Sequence, residues 1–248
     1  MTRSVTSIIN IQALKWEQRS RGGDEQVSRD PRLQRPTITI SSEYGSLGQT
    51  IGGLVAGRLG FDLFDRDLLD RVAASANASR RVVESLDDRV QGWISEFIAG
   101  QFDNNHFTAS DFLRHLSRAV LGIAHHGRAV IIGRGAHFIL DREATLRVRT
   151  FAPLAARVAQ VARDERLSPQ EGRAQVLSKT AERVAFARLH FDRDISDPAH
   201  YDLILCTSTL SPELCAEIIA RAFQSRFGSP EAGLQLEPGS GDGGARGT

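Results

Sequence analysis

The chain has 248 residues, of which 41% are hydrophobic and 25% charged, values that are ordinary for a folded globular protein. Its formal net charge of +1 gives no general attraction for nucleic acid, and two cysteines do not make a disulfide framework. The sequence shows neither an apolar run of membrane-spanning length nor an apolar signal core, so the expected location is cytoplasmic.

Both ends of the chain differ in composition from its middle. We interpret residues 1–35 as a flexible N-terminal arm with one short helix near Ile8–Trp16. Glycine, proline and polar residues dominate residues 228–248, which is typical of a disordered tail. The folded domain is therefore expected over residues 36–227.

Strands and helices alternate along this domain. Short apolar or β-rich runs predict strands at 37–41, 61–64, 129–133, 146–151 and 201–208. Helical spacing of apolar residues predicts helices at 48–59, 66–76, 80–97 and 111–126, from Pro153, from Pro169 with Ser168 as N-cap, and at 212–227. This alternation predicts an α/β domain with a mostly parallel sheet, whose ligands bind at the carboxyl ends of the strands.

The most informative segment is Thr37–Gly60, a strand followed by a glycine-containing loop and the start of a helix. Such a unit directs loop N–H groups and a helix N-terminus towards an anion. Against the phosphate-loop pattern G-x-x-x-x-G-K-[ST], Thr50 takes the hydroxyl position and Gly48 the second glycine. Gln49 then stands in place of the lysine and Glu43 in place of the first glycine. An ordinary strand–turn–helix junction would explain the glycines almost as well.

Three segments together resemble the cytidylate kinase-like family, relatives of the bacterial cytidylate kinases within the P-loop NTPases. They are TITISSEYGSLGQTIGGLVAGRLGFDLFDRDLLDR, AVIIGRGAHFIL and YDLILCTSTL. The resemblance covers about residues 37–225 and implies a three-layer P-loop sandwich with a mostly parallel sheet and a helical lid. It also implies ATP as donor, Mg²⁺ on the donor phosphates, and a CMP-like nucleoside monophosphate or another small acceptor. Neither a membrane nor a nucleic acid is expected as a partner.

The resemblance also assigns roles to individual residues. The donor phosphates are implied to bind at Gly45, Ser46, Leu47, Gly48, Gln49 and Thr50, with the hydroxyl of Thr50 or Ser46 near Mg²⁺. Asp65, Arg71 and Arg134 are implied to lie on the acceptor side. Arg183 and Arg188 are implied to be catalytic arginines that close from the lid. Cytidylate kinases proper have an aspartate after the arginine that matches Arg134, where this chain has Gly135.

Each of these arginines also has a plain structural explanation, because arginine supplies 29 of the 31 basic residues. Arg71 is spaced to pair with Asp67 on a helix surface, Arg134 suits an ordinary turn, and the lid arginines suit a solvated helix face. The family's loop arginines are also missing here. Phosphoryl transfer depends on neutralising charge, so two functions stay open. One is an ATP-dependent phosphotransferase, and the other is a catalytically inactive nucleotide-binding sensor or scaffold with the same fold.

Overall fold

The computed structural model describes residues 4–21, 34–84, 86–103 and 110–228. The strands are β1 (Thr37–Ser42), β2 (Asp62–Phe64), β3 (Ala129–Ile132), β4 (Thr145–Phe151) and β5 (Leu203–Cys206). The helices are α1 (Val5–Arg21), α2 (Gly48–Leu59), α3 (Arg66–Ala73), α4 (Ala76–Glu84), α5 (Asp88–Asp103), α6 (Asp111–His126), α7 (Ala136–Ile139), α8 (Leu154–Glu165), α9 (Pro169–Phe191) and α10 (Pro212–Phe227). Residues 22–33 of the predicted arm and 229–248 of the predicted tail lie outside the described residues.

The five strands form one sheet in the order β2-β3-β1-β4-β5, and the pairings between neighbours are parallel. β1 lies at the centre, with Ile40 opposite Ile132 of β3 and Val148 of β4. Such apolar strands are suited to a sheet that is covered on both faces. The predicted α/β fold with a parallel sheet is therefore confirmed.

Helices pack on both faces of the sheet and produce three layers. On one face, Ile51 of α2 and Ile219 of α10 join Ile40 and Val148 in a buried apolar cluster. On the other face, α3, α4, α5 and α6 pack around a second cluster that includes Ile131 of β3. Adjacent residues of β3 point to opposite clusters because side chains alternate along a strand.

The N-terminal helix is longer and more deeply packed than the sequence predicts. α1 covers Val5–Arg21, and its Ile9 and Trp16 are 0% and 3% exposed. The Trp16 ring stacks on those of Phe64 and His126, with centroid separations of 6.3 and 3.8 Å. These residues pack as part of the domain and not as a flexible arm, because burying two large apolar side chains stabilises the docked helix.

Two predicted helices are divided differently in the structure. The predictions at 66–76 and 80–97 become α3, α4 and α5, with breaks before Ala76 and Asp88. Ser75 and Asp87 each accept a hydrogen bond from a backbone N–H three residues further on. Short polar side chains of this kind compete with the helix for backbone groups and start a new helix.

α9 is the longest helix described, and its C-terminal half lies at the carboxyl end of the sheet. It begins with the predicted cap, since the Ser168 hydroxyl accepts from the Glu171 N–H and the Glu171 carboxylate accepts from the Ser168 N–H. This reciprocal pair is a capping box with proline at the first helical position. α9 packs against α8, and α9 is the helix on which the resemblance implies a lid.

Candidate functional site

A pocket of about 620 Å³ lies at the carboxyl ends of β1 and β3, where parallel α/β sheets bind their ligands. Its wall is built by the loop after β1, the first turns of α2 and α3, the turn after β3, and one side each of α8 and α9. The predicted loop residues that line it are Gly45, Leu47, Gly48, Gln49 and Thr50.

Close packing explains the two glycines of the loop. Gly45 has a φ of +84°, and a Cβ there would lie 2.8 Å from the carbonyl oxygen of Arg157. A Cβ on Gly48 would lie 2.4 Å from Cβ of Ser42, because α2 begins directly against the end of β1. The first N–H groups of α2 have no intrahelical partner and lie at the pocket wall. This end of α2 therefore suits an anion.

Ser46 is the loop residue that the structure directs away from the pocket. It is fully buried, and its hydroxyl lies 2.8 Å from the carbonyl oxygen of Glu43 and 3.0 Å from Oγ1 of Thr150. The expectation that this hydroxyl lies near a metal is therefore corrected: it fixes the loop to β4. The Thr50 side chain is exposed and lines the pocket, so it is the one of these two hydroxyls that a ligand there could reach.

The residue in the lysine position carries an uncharged amide. Nε2 of Gln49 donates to Oδ2 of Asp65 at 2.9 Å. The other carboxylate oxygen of Asp65 accepts from the Leu68 N–H at 2.8 Å and so caps α3. Asp65 joins the loop to α3 but is not itself a lining residue of the pocket.

Arg183 of α9 carries a guanidinium group to the base of the loop. Its Nη1 donates to the carbonyl oxygen of Ser42 and lies 3.3 Å from the Ser42 hydroxyl. The guanidinium also sits 5.4 Å from the ring centroid of Tyr44. Burial, followed by the neighbouring charge of Arg66, lowers the pKa of Arg183 to about 10, so it remains a cation at neutral pH.

One face of α9 lines the pocket, with the three- and four-residue spacing of a helix. It consists of Lys179, Glu182, Arg183, Phe186 and Ala187. Arg188 falls outside this spacing, its side chain is 56% exposed, and it pairs with Asp194 at 3.4 Å. The structure therefore brings Arg183 to the pocket and leaves Arg188 outside it, contrary to the prediction for Arg188.

On the acceptor side, Arg134 projects into the pocket wall from the turn after β3. It forms an ion pair with Asp70 of α3, and its guanidinium lies 5.0 Å from the centroid of the Phe186 ring. Arg71 is not a lining residue, although the resemblance assigned it to the acceptor. Successive residues turn by about 100° around a helix, and α3 instead presents Arg66, Asp67 and Asp70 to the pocket.

The position after Arg134 has no room for a side chain. Gly135 has a φ of +69°, and a Cβ there would lie 2.3 Å from the ring of Phe191. Phe191 ends α9 and is almost fully buried. The aspartate that cytidylate kinases proper have at this point is therefore incompatible with the packing of α9 in this chain.

His137 adds an uncharged polar group to the same wall. It is 5% exposed, and burial lowers the pKa of its imidazole to about 3, with His200, Arg147 and Arg149 adding to the effect. The ring is therefore neutral at physiological pH. Its neighbours in the wall include the aromatic ring of Phe138, 3.9 Å away between centroids.

Sequence reasoning overlooked several residues of the site, among them Arg66, Asp70 and Phe186. The spacing on α9 would have identified Phe186 one turn beyond Arg183. Asp70 carries no such signal, since its ion pair with Arg134 joins residues 64 positions apart. Long-range pairs of this kind become visible only in the folded chain.

Two features are absent from the part of the chain that the structure describes. Within residues 4–21, 34–84, 86–103 and 110–228, no group of three or more His, Cys, Asp or Glu side chains is arranged to hold a metal ion. No helix in these same ranges combines the length and apolar character needed to cross a membrane.

The strand–loop–helix cradle at the edge of a parallel sheet, with half-buried arginines beside it, defines an α/β P-loop protein. The chain belongs to the cytidylate kinase-like family, whose model matches residues 37–209. It is 30% identical over 128 residues to a protein called cytidylate kinase from Thermococcus sibiricus (strain DSM 12597 / MM 739). That match covers 51% of this chain and 65% of the relative, just under two thirds of its length.

A solved structure supports the fold. The crystal structure of an uncharacterized protein from Eubacterium ventriosum ATCC 27560 aligns with a TM-score of 0.54 and 16% sequence identity. The alignment covers 77% of this chain and 99% of that one. At this level of identity the likeness concerns the fold alone.

Proposed function

We propose that this protein binds ATP at the loop of residues 45–50 and transfers its γ-phosphoryl group to a small acceptor beside Arg134. A nucleoside monophosphate is the acceptor class that we favour. Membership of the cytidylate kinase-like family and the similarity to the Thermococcus sibiricus relative support this proposal. Because the match covers only part of that relative, its activity does not transfer to this chain without a test.

The observation that carries the proposal is the position of Arg183. The loop has no lysine, and the amide of Gln49 contacts Asp65. A guanidinium nevertheless lies at the base of the loop, because Arg183 donates to Ser42, whose side chain occupies the space that a Cβ on Gly48 would need. A charge-assisted hydrogen bond to a phosphate contributes about 1.5–3 kcal/mol. Arg183 is therefore the residue that we expect to replace the loop lysine.

The residues around the loop fit a nucleotide phosphate. Gly45 and Gly48 stand where a Cβ would collide with the protein itself. The first turn of α2, whose N–H groups have no partner within the helix, lies at the pocket wall. Mg²⁺ bound with the nucleotide would supply charge neutralisation at the donor phosphates. The exposed hydroxyl of Thr50 is the protein group that we expect near it.

The acceptor would bind between α3, α9 and the turn after β3. Arg134 can exchange its ion pair with Asp70 for an acceptor phosphate, and Arg66 adds a second cation to the same wall. Phe138 and Phe186 offer apolar ring surface nearby. Gly135 provides no carboxylate for a base, so we expect weaker discrimination between bases than an aspartate at that position would give.

The direct test is incubation of the purified protein with Mg-ATP and each of CMP, UMP, AMP and GMP, with chromatographic detection of diphosphate products. The proposal predicts ADP and a nucleoside diphosphate in equal amounts with at least one acceptor. Binding of ATP without turnover on any acceptor would contradict the transfer and support the nucleotide-binding sensor or scaffold. Absence of ATP binding would contradict both functions.

A further inference from the structure

Glu43 stands where the phosphate-loop motif has its first glycine, and its carboxylate joins two buried arginines. Oε1 lies 3.2 Å from Nη2 of Arg149, and Oε2 lies 3.1 Å from Nε of Arg157. Arg149 and Arg157 are only 8% and 9% exposed. A carboxylate between two buried guanidinium groups resists displacement, because moving it would leave buried charge unpaired. The start of the loop is thereby fixed to β4 and α8.

Arg157 extends this link to α9. Its Nη1 donates to Oγ1 of Thr180 at 3.1 Å. Thr180 lies three residues before Arg183, so the two share a side of the helix. Arg183 in turn donates to the carbonyl oxygen of Ser42, the residue directly before Glu43. The contacts form a closed circuit from the loop through α8 and α9 and back to the loop.

We propose that Glu43 is a positioning residue of the donor-phosphate site, acting through Arg157 and Thr180 to hold Arg183 at the base of the loop. The inference rests on the proposed binding of ATP at this loop. An arginine that is held in advance loses less side-chain freedom when a phosphate arrives, and its affinity for the phosphate is correspondingly higher. The circuit thus holds Arg183 where the usual phosphate loop would have a cation of its own.

A second ionic cluster, which includes the buried Arg147 of the same strand, offers a control. Asp202 pairs with Arg147 at 3.4 Å and with Arg226 at 3.2 Å. Asp202 also lies 3.6 Å from Arg142. Arg147 lies on β4 two residues before Arg149, so in both clusters one carboxylate joins an arginine of this strand to arginines outside it. Asp202, Arg147 and Arg226 are not lining residues of the pocket. Removing the charge of Asp202 should therefore affect stability alone and leave ATP binding unchanged.

The experiment compares Glu43→Gln and Asp202→Asn by thermal unfolding and by titration calorimetry with Mg-ATP. We expect both variants to melt at lower temperature, while only Glu43→Gln weakens ATP binding, by about tenfold. Wild-type affinity in Glu43→Gln, or an equal loss in Asp202→Asn, would overturn the inference. If the wild-type protein does not bind ATP, the proposed function fails instead, and the inference falls with it.

A double-mutant cycle tests whether Glu43 acts through Arg183. Because Arg183→Met already removes the positioned cation, adding Glu43→Gln to it should cost no further ATP affinity. Losses that multiply would show an independent action of Glu43 and overturn the proposal.

If Glu43→Gln does not fold, Thr180→Val takes its place, because it breaks the link to α9 and keeps both ion pairs of Glu43. We expect this variant to bind ATP several-fold more weakly. Unchanged ATP affinity in Thr180→Val would overturn the proposal that the circuit positions Arg183.

Discussion

Among single residues, buried His137 makes the free energy of unfolding depend on pH. Burial holds its pKa at about 3, whereas the unfolded chain has the ordinary value of 6.5. Between these two values the unfolded chain binds a proton that the folded chain does not, so stability falls as pH falls. The loss approaches about 1.4 kcal/mol per pH unit within this window.

The check is urea unfolding of wild type and His137→Gln from pH 6.5 to pH 4.5. Carboxylates contribute equally to both proteins, so the difference between the two pH slopes reports the histidine. The variant should lose stability less steeply as the pH falls. Parallel slopes would contradict the neutral buried state of His137.

The two glycines around Arg134 differ in their surroundings and provide a second prediction. Gly133 and Gly135 have φ values of +77° and +69°, but only a Cβ on Gly135 meets a neighbour, the ring of Phe191 at 2.3 Å. Gly133→Ala should lower the free energy of unfolding by about 1 kcal/mol through backbone strain. Gly135→Ala should lower it by at least about 1 kcal/mol more, because the core must also shift.

Chemical denaturation of both variants measures this difference directly. In a Phe191→Leu background the two substitutions should become closer in cost, since the smaller side chain relieves the contact. Equal costs in the wild-type background would show that Phe191 does not close this position.

The sequence is a sound guide to individual residues when their role depends on local chain geometry. Gly48 was identified by its position in the loop and Ser168 by its position at the start of a helix. In the structure, Gly48 packs too closely for a Cβ and Ser168 caps α9. The burial of the Ser46 hydroxyl against β4 could not be anticipated, since Thr150, its partner on that strand, is 104 residues away. A motif therefore predicts where a loop lies better than it predicts which of its side chains face the ligand.

Among the elements, α1 lies before the family match, which begins at residue 37. Its Trp16 is buried and stacks with the rings of Phe64 and His126, whereas Leu14 on the same helix is 57% exposed. Trp16→Ala should lower the free energy of unfolding by about 3 kcal/mol, because it removes a large buried ring. Leu14→Ala should change it by less than about 0.5 kcal/mol.

Thermal and urea unfolding of these two variants would measure the contribution of α1 to the domain. Similar, small effects of both substitutions would mean that α1 does not contribute to the core in the way the structure describes. A large effect confined to Trp16→Ala would support its docking beside the strand that leads into α3.

Helix spacing explains which predictions for α9 agree with the geometry. Its start at Ser168 can be predicted because the residues of the cap are close together in the sequence. Its pocket face could be predicted only after one member, Arg183, was known to reach the pocket. Arg188 is five residues further on and falls outside this face, so the choice between arginines depended on rotation about the helix axis.

In the whole molecule, the charges of the pocket come from elements that are distant in sequence. Arg134 follows β3, Arg183 lies in the middle of α9, and Glu43 follows β1. The alternation of strands and helices predicted the sheet that collects these segments at one edge. It did not predict their contacts, because ion pairs such as Glu43–Arg149 depend on packing between elements.

The central claim is that Arg183 supplies the cation of an ATP-binding loop that has none of its own. The most direct measurement is the affinity for Mg-ATP, by titration calorimetry, of wild type, Arg183→Met and Arg188→Met. We predict binding by wild type, a loss of about 10- to 100-fold in Arg183→Met, and a change of less than about twofold in Arg188→Met. Equal affinities in all three proteins, or an equal loss in both variants, would contradict the account.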